Sequence, residues 1–354
     1  MKKRLAHFFG WAKKNKKVLL VSSAILVFFL GILITAIFLK GSKEVTRTDP
    51  NASSTSEPTI KMEKSPLTGI EVSPDLAKRP VRGVIIENSP DARPQSGLHE
   101  AGIVFEAIAE GGITRHLALY QESRPALFGP VRSLRPYFLE WGKTFDAAIA
   151  HVGGSPEALQ YARDSGMKDL DQFSNSGSFY RANDRYAPHN MYTTSDLLDA
   201  LMSQKGFNES KFTSWTRKAD APSSAPNASN IAVNISSQLY ASGYTYDPAT
   251  NSYLRNLAGS AHKDRESGKQ INPKVVVVMK IPQSVLSDGH LKMPTAGSGE
   301  VTVFQDGLAV TGKWEKAGAF DQYKFSDPAG AEIILNAGQT WVVALPPEKS
   351  VTFN

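Results

Sequence analysis

Short apolar runs alternate with polar turns along most of the chain, and this pattern predicts many strands with a few helices between them. Runs without charge predict buried strands at residues 84–86, 103–105, 117–120 and 147–150. Apolar residues at helical spacing predict helices at residues 135–144, 156–163 and 194–205. Strands with intervening helices indicate an α/β or α+β unit, which we place at residues 65–210.

The pattern changes after residue 229. Residues 211–229 are rich in Ala, Ser and Pro, which is typical of a linker or long loop. From residue 230 to 354, short alternating strands are separated by turn residues, and Val275 to Met279 form a buried apolar run. This predicts a mainly β unit, a small barrel or sandwich.

One long apolar segment precedes both units. From Val18 to Leu39 the chain has no charged residue, which is enough to cross a bilayer as a helix. The basic tail at residues 1–17 should stay in the cytoplasm, which places the rest outside the cell membrane. We predict an uncleaved single-pass signal anchor, followed by a flexible tether at residues 40–64. A cleaved signal peptide is the alternative, but the run is long and no small-residue cleavage site follows it.

The charge and cysteine counts narrow the function classes. The net charge is +6, but residues 1–47 contribute +9, so the remainder carries −3. A slightly acidic folded part argues against nucleic-acid binding, which needs basic surface on the domain itself. The chain contains no cysteine, so disulfides, thiol catalysis, cysteine-ligated metals and lipid attachment through cysteine are excluded.

Residues 106–136 contain an unusual density of charge and glycine between predicted core strands. Glu106 and Glu110 are four apart, so a continuing strand would place both on the same side. Paired carboxylates can serve glycoside hydrolysis as acid and base, or they can form ion pairs with nearby arginines. Both interpretations stay open at this point.

The arginines of this stretch are candidates for binding an anion. Arg132 and Arg135 are three apart near a predicted helix start, where free N–H groups add to an anion cradle. Arg115 follows the Gly111-Gly112 pair, which permits a tight turn or a close approach by a ligand. Pairing with Glu106 or Glu110 is the alternative role for these arginines.

Histidines supply the remaining candidates. His151 ends a predicted strand just before a glycine-rich loop, a common position for ligand binding in α/β sheets. His189 and Asn190 lie in a second polar cluster, whereas Arg255, His262 and Asp264 suggest a polar surface loop. No histidine spacing matches a metal motif, so we expect neither a metal nor another cofactor.

Several motifs occur in the order seen in one bacterial family. They are PLTG at 66–69, ARPQSGL at 92–98, EGGITR at 110–115, GPVRSLRP at 129–136 and APHNMY at 187–192, followed by GSGE, FQDG, KW and LNAGQTW. The chain from residue 65 onward thus resembles the YerB-like family, a domain of unknown function with an N-terminal and a C-terminal part. Many relatives look like extracytoplasmic lipoproteins, which implies the same side of the membrane here but no particular reaction.

Three functions are consistent with these features. The leading hypothesis is a membrane-anchored envelope protein that binds an anionic or polar ligand such as a cell-wall polymer. Its contacts would come from Arg115, Arg132 and Arg135, with His189, Asn190, Gly111 and Gly112 shaping the pocket. A metal-independent hydrolase using Glu106 or Glu110 with His151 on an envelope glycan or ester is the second hypothesis. The third is a structural scaffold for other envelope proteins.

Overall fold

The computed structural model describes residues 61–354, and residues Ile60–Asn354 form one compact unit. Four α-helices occur in the described part, and we number them in chain order: α1 (Pro74–Ala77), α2 (Pro136–Thr144), α3 (Pro156–Asp164) and α4 (Ser195–Gln204). The three longer helices confirm the helical predictions. Thr194 caps α4 by accepting a hydrogen bond from the N–H of Leu197, as its position before the apolar stripe suggests.

Strands account for most of the regular structure, so the described chain is mainly β. The strands before residue 220 are β1 (Glu63–Lys64), β2 (Glu71–Val72), β3 (Arg82–Glu87), β4 (Ile103–Glu110), β5 (Ile113–Tyr120), β6 (Ala148–His151), β7 (Lys168–Asp171), β8 (Tyr180–Arg181), β9 (Met191–Tyr192) and β10 (Arg217–Lys218). Those after residue 229 are β11 (Asn230–Val233), β12 (Ser242–Asp247), β13 (Ser252–Leu257), β14 (Ser260–Ala261), β15 (Val275–Lys280), β16 (Ser284–Val285), β17 (Leu291–Lys292), β18 (Gly297–Gln305), β19 (Leu308–Lys316), β20 (Lys324–Ser326), β21 (Leu335–Asn336), β22 (Thr340–Leu345) and β23 (Val351–Phe353).

A ten-stranded mixed sheet runs through the described part, in the order β20-β19-β18-β15-β22-β4-β5-β3-β6-β7. Strands β3 to β7 belong to the predicted first unit, and the other five belong to the predicted second unit. The two sets meet where β22 pairs in parallel with β4, from Thr340 opposite Ile103 to Val343 opposite Glu106. The sequence left open whether the two units form one body, and this sheet joins them.

Apolar layers cover both faces of the central sheet. On one face, helix α2 packs Tyr137, Phe138 and Trp141 against alternate strand residues such as Phe105. On the other face lie helix α4 and a five-stranded antiparallel sheet, in the order β14-β13-β12-β11-β23. Burial on both faces explains why β15 is a run of apolar residues without polar alternation.

The stretch at residues 211–229 makes defined contacts with the sheet unit. Trp215 is buried against Phe145 and Phe325, and β10 pairs in parallel with β21. None of the helices in residues 61–354 has the length and apolar character that crossing a bilayer requires. The predicted basic tail, the anchor at residues 18–39 and most of the predicted tether lie outside the described residues.

Candidate functional site

The residues singled out from the sequence bind different partners and do not gather in one place. Glu110, Arg115 and Arg135 form one group, and Glu106 belongs to a second, fully buried group. His151 lies with two aspartates, and Arg132 and His189 meet at Glu87. We describe these groups in turn because their burial decides which of them can contact a ligand.

Glu110 is shared by two arginines. Its Oε1 accepts from Arg115 Nη2 at 2.6 Å, and its Oε2 accepts from Arg135 Nη2 at 2.6 Å. Both arginines are nearly inaccessible and also donate to main-chain carbonyls, those of Ser133 and Leu134. Burial raises the pKa of Glu110, but Arg115 and Arg135 outweigh it and hold the pKa below its ordinary value. The ion-pair interpretation is confirmed for this carboxylate.

Glu106 lies on the other face of β4. A bulge between Ile108 and Glu110 shifts the register with β5, so residues four apart no longer share a side. The prediction that the two glutamates lie on the same side of the strand is therefore wrong. Glu106 has no exposed surface, and its Oε2 accepts from Arg255 Nη2 at 2.8 Å and from Trp341 Nε1 at 2.9 Å.

Arg255, His262 and Asp264 are buried, so the expected polar surface loop is wrong for these side chains. Arg255 also donates to His262 Nδ1, and His262 Nε2 contacts Gln95 Oε1 at 2.9 Å. Asp264 accepts from the backbone N–H of Gly97 at 2.7 Å. The segment folds inward because its polar groups find partners more than a hundred residues earlier in the chain, on β4 for Arg255 and in the loop after β3 for His262 and Asp264.

His151 is fully buried and has a partner on each ring nitrogen. Its Nδ1 lies 2.8 Å from the carbonyl oxygen of Gly153, and its Nε2 lies 3.0 Å from Asp169 Oδ1. Burial raises the pKa of Asp169, yet the contact with His151 outweighs it and lowers that pKa overall. Neither Glu106 nor Glu110 contacts His151, so the acid/base pair of the hydrolase hypothesis is not assembled.

Gly111, Gly112 and Asn190 serve the local backbone. Gly111 and Gly112 have φ of 58° and 77° and close the β4–β5 hairpin, since positive φ at both positions suits a two-residue turn. Asn190 accepts from Arg181 and donates to the carbonyls of Ala182 and Arg185. It thereby fixes the loop that carries His189.

The carboxyl ends of the parallel strands β3, β6 and β7 lie at one edge of the sheet, where β3 runs two residues further, and a partly open polar cluster lies at that edge. We call it the carboxyl-edge cluster: Glu87, Ser89, Arg132 and His189. The backbone of Arg132 bridges two of these strand ends, because its N–H donates to Ile85 and its carbonyl accepts from Val152. Ligands in open α/β sheets commonly bind at this edge of parallel strands.

Glu87 is the buried anchor of the carboxyl-edge cluster. Its Oε1 accepts from Ser89 Oγ at 2.8 Å, lies 2.9 Å from His189 Nδ1 and lies 3.4 Å from Arg132 Nε. The side chains of Arg132 and His189 keep about a quarter of their surface exposed, 25% and 24%. Among the other sequence-predicted candidates, Glu110 is also partly exposed, at 32%, but two arginines occupy both of its carboxylate oxygens.

Several polar atoms of the cluster have no partner within residues 61–354. The Arg132 guanidinium makes no hydrogen bond there, and its buried Nε and the buried Glu87 Oε2 are without a hydrogen-bond partner. Buried polar atoms in folded proteins are almost always paired. These two unpaired atoms are themselves buried, so a ligand would meet the exposed part of the Arg132 side chain beside them.

The cluster does not have the geometry of a serine hydrolase. Ser89 Oγ and Glu87 Oε1 both approach His189 Nδ1, at 3.2 and 2.9 Å, and Ser89 donates to the same carboxylate. A catalytic triad requires the acid on one ring nitrogen and the nucleophile on the other. The arrangement is suited to binding rather than to nucleophilic attack.

Sequence reasoning missed Glu87 and Ser89, since the Glu-Asn-Ser-Pro segment has the composition of an ordinary turn. The available signal was position: polar residues directly after a buried strand occupy the edge where ligands bind. Arg132 and His189 were recognised, but their common partner was not.

The chain is similar to proteins of one family over most of the described part. Residues 67–208 match "Protein of unknown function (DUF3048) N-terminal domain", and residues 231–342 match "Protein of unknown function (DUF3048) C-terminal domain". "Putative lipoprotein YerB" of Bacillus subtilis (strain 168) is 31% identical over 294 residues, covering 81% of this chain and 88% of that protein. The crystal structure of YerB protein from Bacillus subtilis matches with a TM-score of 0.74 and 29% identity, over 82% of this chain and 99% of that one.

Proposed function

The chain belongs to the YerB-like family and carries both of its DUF3048 domains, and from this premise we propose a ligand-binding role in the bacterial envelope. In this proposal the segment at residues 18–39 crosses the membrane once, with the basic tail inside. The folded part stands outside and binds an anionic or polar ligand such as a cell-wall polymer. The name of the Bacillus subtilis relative, a lipoprotein, is consistent with an envelope location.

The observation that carries the proposal is the state of Arg132. Its guanidinium is a quarter exposed and makes no hydrogen bond within residues 61–354, where its ionic contact is the 3.4 Å approach of Nε to Glu87 Oε1. Arginine offers five N–H donors in a fork that fits a carboxylate or a phosphate group. The backbone hydrogen bonds of Arg132 to Ile85 and Val152 fix its position at the strand ends, where its guanidinium can meet such a ligand.

The neighbouring side chains define the ligand further. His189 directs Nδ1 to Glu87, its Nε2 lies 4.0 Å from Oδ2 of the exposed Asp91, and the second carboxylate oxygen of Glu87 is buried without a hydrogen-bond partner. A ligand with both an anionic group and hydroxyl or amide donors would satisfy this set. Cell-wall glycans, peptide carboxylates and phosphate-bearing polymers all have that chemistry.

Arg115 and Arg135 have a different role in this proposal. Both are bound to Glu110 and nearly inaccessible, so they support the strand edge and do not contact the ligand. The hydrolase alternative receives no support from a specific contact, because Glu106 and His151 are fully buried and separately paired. The scaffold role stays a prediction.

Co-sedimentation with cell-wall material tests the proposal. The full-length chain, purified in detergent, is mixed with insoluble walls either intact or stripped of their phosphate polymers by acid. We expect Arg132→Gln to reduce the bound fraction strongly, with an affinity loss of about tenfold or more for a charged hydrogen-bonding group. Arg163→Gln is the matched control, since Arg163 is an exposed helix residue whose guanidinium hydrogen-bonds to Gln160.

The two wall preparations separate the possible ligands. Binding that persists on stripped walls identifies the glycan or its peptide, and binding lost with stripping identifies the phosphate polymer. Equal binding by the parent chain and Arg132→Gln would contradict the proposed site, and no binding to either preparation would contradict the cell-wall ligand.

A further inference from the structure

A small cavity lies near the amino end of β3, away from the carboxyl-edge cluster. It has a volume of about 180 Å³, and its polar lining is Arg79, Arg82, Arg124, Asp199, Ser203 and Asn208. We call it the Arg82 pocket. Arg82 begins β3 and Glu87 ends it, so the pocket and the cluster are about 17 Å apart at the usual rise of a strand.

The Arg82 pocket has more positive than negative charge. Asp199 accepts from Arg82 Nη1 at 2.8 Å and also pairs with Arg124. Arg124 makes a further pair with the exposed Asp196. Within residues 61–354 no carboxylate lies within 4.0 Å of Arg79, whose Nη1 donates only to the carbonyl of Glu122 at 3.2 Å. Three guanidinium groups thus line one small cavity that contains a single carboxylate.

Arg82 is the buried member of this set. Its side chain is 2% exposed, and its Nη2 donates to the carbonyl of Ser123 at 2.6 Å. Its Nε is buried and has no hydrogen-bond partner in the part of the chain that the structure describes. Burial, together with the charges of Arg124 and Arg79, lowers the pKa of Arg82 to about 10. A bound anion would relieve that repulsion.

The carboxyl end of helix α4 lies at the rim of the pocket, but its backbone carbonyls would not repel a bound anion. The carbonyls of Leu201, Met202 and Ser203 accept hydrogen bonds from the N–H groups of residues 205–207, so they are not free to face the cavity. The exposed side chains of Ser203 and Asn208 line the same rim and can donate.

We infer that the Arg82 pocket binds a small oxyanion, and that a phosphate group is its preferred ligand. Three arginines around one cavity match a group with three equivalent oxygens better than a carboxylate with two. The volume is below the range of a drug-sized site, which suits one terminal group rather than a whole metabolite. The inference does not depend on the proposed wall-binding site.

Calorimetric titration of the full-length chain with inorganic phosphate, at constant ionic strength, tests this site. Arg79→Gln should weaken phosphate binding about tenfold or more, because it removes a charged donor. In the described part of the chain the Arg79 guanidinium hydrogen-bonds only to the carbonyl of Glu122, so its other N–H groups can bind phosphate. Asp199→Asn should tighten binding, since it removes the one carboxylate of the cavity while keeping an oxygen for Arg82. Arg163→Gln should have no effect, and acetate should bind more weakly than phosphate.

Arg132→Gln removes phosphate binding that belongs to the carboxyl-edge cluster, so saturable binding that remains in this variant belongs to the Arg82 pocket. A parent chain that shows no saturable phosphate binding would overturn the inference. So would an Arg79→Gln variant, folded by circular dichroism, that binds phosphate as the parent does. Loss of phosphate binding in Arg132→Gln but not in Arg79→Gln would assign the ion to the other site and likewise overturn it.

Discussion

Arg255 Nη2 lies 2.8 Å from Glu106 Oε2, and neither side chain has any exposed surface. Glu106 belongs to the central sheet and Arg255 to the five-stranded sheet, so this ion pair joins the segments that match the N-terminal and C-terminal DUF3048 domains. Burial raises the pKa of Glu106, but Arg255, followed by His116 and Trp341, lowers it well below its ordinary range. The carboxylate is therefore ionised inside the protein and depends on its partners.

Breaking this ion pair from one side should destabilise the fold severely. We expect Arg255→Met to lower the free energy of unfolding by about 3–5 kcal/mol, because it leaves a buried carboxylate without its counter-charge. Glu106→Gln should also be destabilising, and the double variant should cost less than the sum of the two. Urea denaturation followed by circular dichroism gives the three values. Strict additivity would show that the two side chains are not coupled.

Protonation of His262 should destabilise the protein in mild acid. Arg255 can only donate, so His262 Nδ1 must accept and its Nε2 donates to Gln95. Burial, then the charges of Arg255 and His116, lowers the pKa of His262 well below its ordinary value, although Glu106 opposes this. The folded state therefore binds fewer protons, and stability is full above the unfolded pKa of about 6.5 and falls as the pH drops below it.

The variant His262→Gln tests this linkage, because glutamine can accept from Arg255 and donate to Gln95 without titrating. Between pH 6.5 and 5, the free energy of unfolding of the parent should fall more steeply than that of the variant, by about 1.4 kcal/mol per pH unit. His116 and the carboxylates titrate in both proteins, so their effects cancel in the difference. Parallel pH profiles would mean that His262 is not neutral in the folded state.

The sequence predicts local elements well and long-range pairings poorly. The stripe of α4 and the apolar run of β15 are set by neighbouring residues, so periodicity identifies both. The sequence predicts a surface loop at Arg255 because its counter-charge, Glu106, is 149 residues away and only the fold brings the two together. The bulge near Ile108 has no clear signature, yet it decides which face Glu110 occupies.

The candidate site shows the same division. Arg132 was identified because two arginines three apart at a helix start form a recognisable pattern. That pattern predicts the same anion-binding role for Arg132 and Arg135. In the structure Arg132 is a quarter exposed, whereas Arg135 is bound to Glu110. Solvent exposure, which decides which arginine can meet a ligand, is a property of the tertiary structure.

The same substitution should therefore affect stability more at Arg135 and ligand binding more at Arg132. Arg132→Gln should lower the free energy of unfolding by about 1 kcal/mol or less, since its guanidinium makes no hydrogen bond within residues 61–354 and the Glu87 oxygen 3.4 Å from its Nε also contacts Ser89 and His189. Arg135→Gln should lower the free energy of unfolding by about 1–3 kcal/mol, because it removes two hydrogen bonds to Glu110. The loss stays in this range because Glu110 is one-third exposed.

Wall binding should show the reverse order, with loss in Arg132→Gln and retention in Arg135→Gln at temperatures where that variant is folded. Thermal unfolding and co-sedimentation of the same preparations give both readouts. Equal destabilisation by the two substitutions would assign Arg132 a structural role instead.

Lys316 should limit the stability of the protein at neutral pH. Its side chain is 2% exposed, and its Nζ donates to Thr144 Oγ1 at 3.0 Å and lies 4.9 Å from the ring centre of Tyr323. No carboxylate lies within 4.0 Å of Nζ in residues 61–354. Burial lowers the pKa of Lys316 from 10.5 to about 8, against the weaker opposing effects of Glu140 and Asp321. The buried ammonium is thus charged at pH 7 and poorly compensated.

Replacing Lys316 with methionine should raise the free energy of unfolding at pH 7 by about 1–3 kcal/mol, because an apolar chain of similar length needs no counter-charge. Since the folded pKa is below the unfolded one, the lysine's own contribution rises between pH 8 and 10.5 and is lowest below pH 8. The advantage of Lys316→Met should therefore shrink as the pH is raised to 10. Lys313→Met is the control, because Lys313 is exposed on the same strand and pairs with Glu315. Urea denaturation at pH 7 and pH 10 measures the free energy of unfolding of each protein. If Lys316→Met is less stable than the parent at both pH values, the contacts of Lys316 with Thr144 and Tyr323 outweigh the cost of burying its charge.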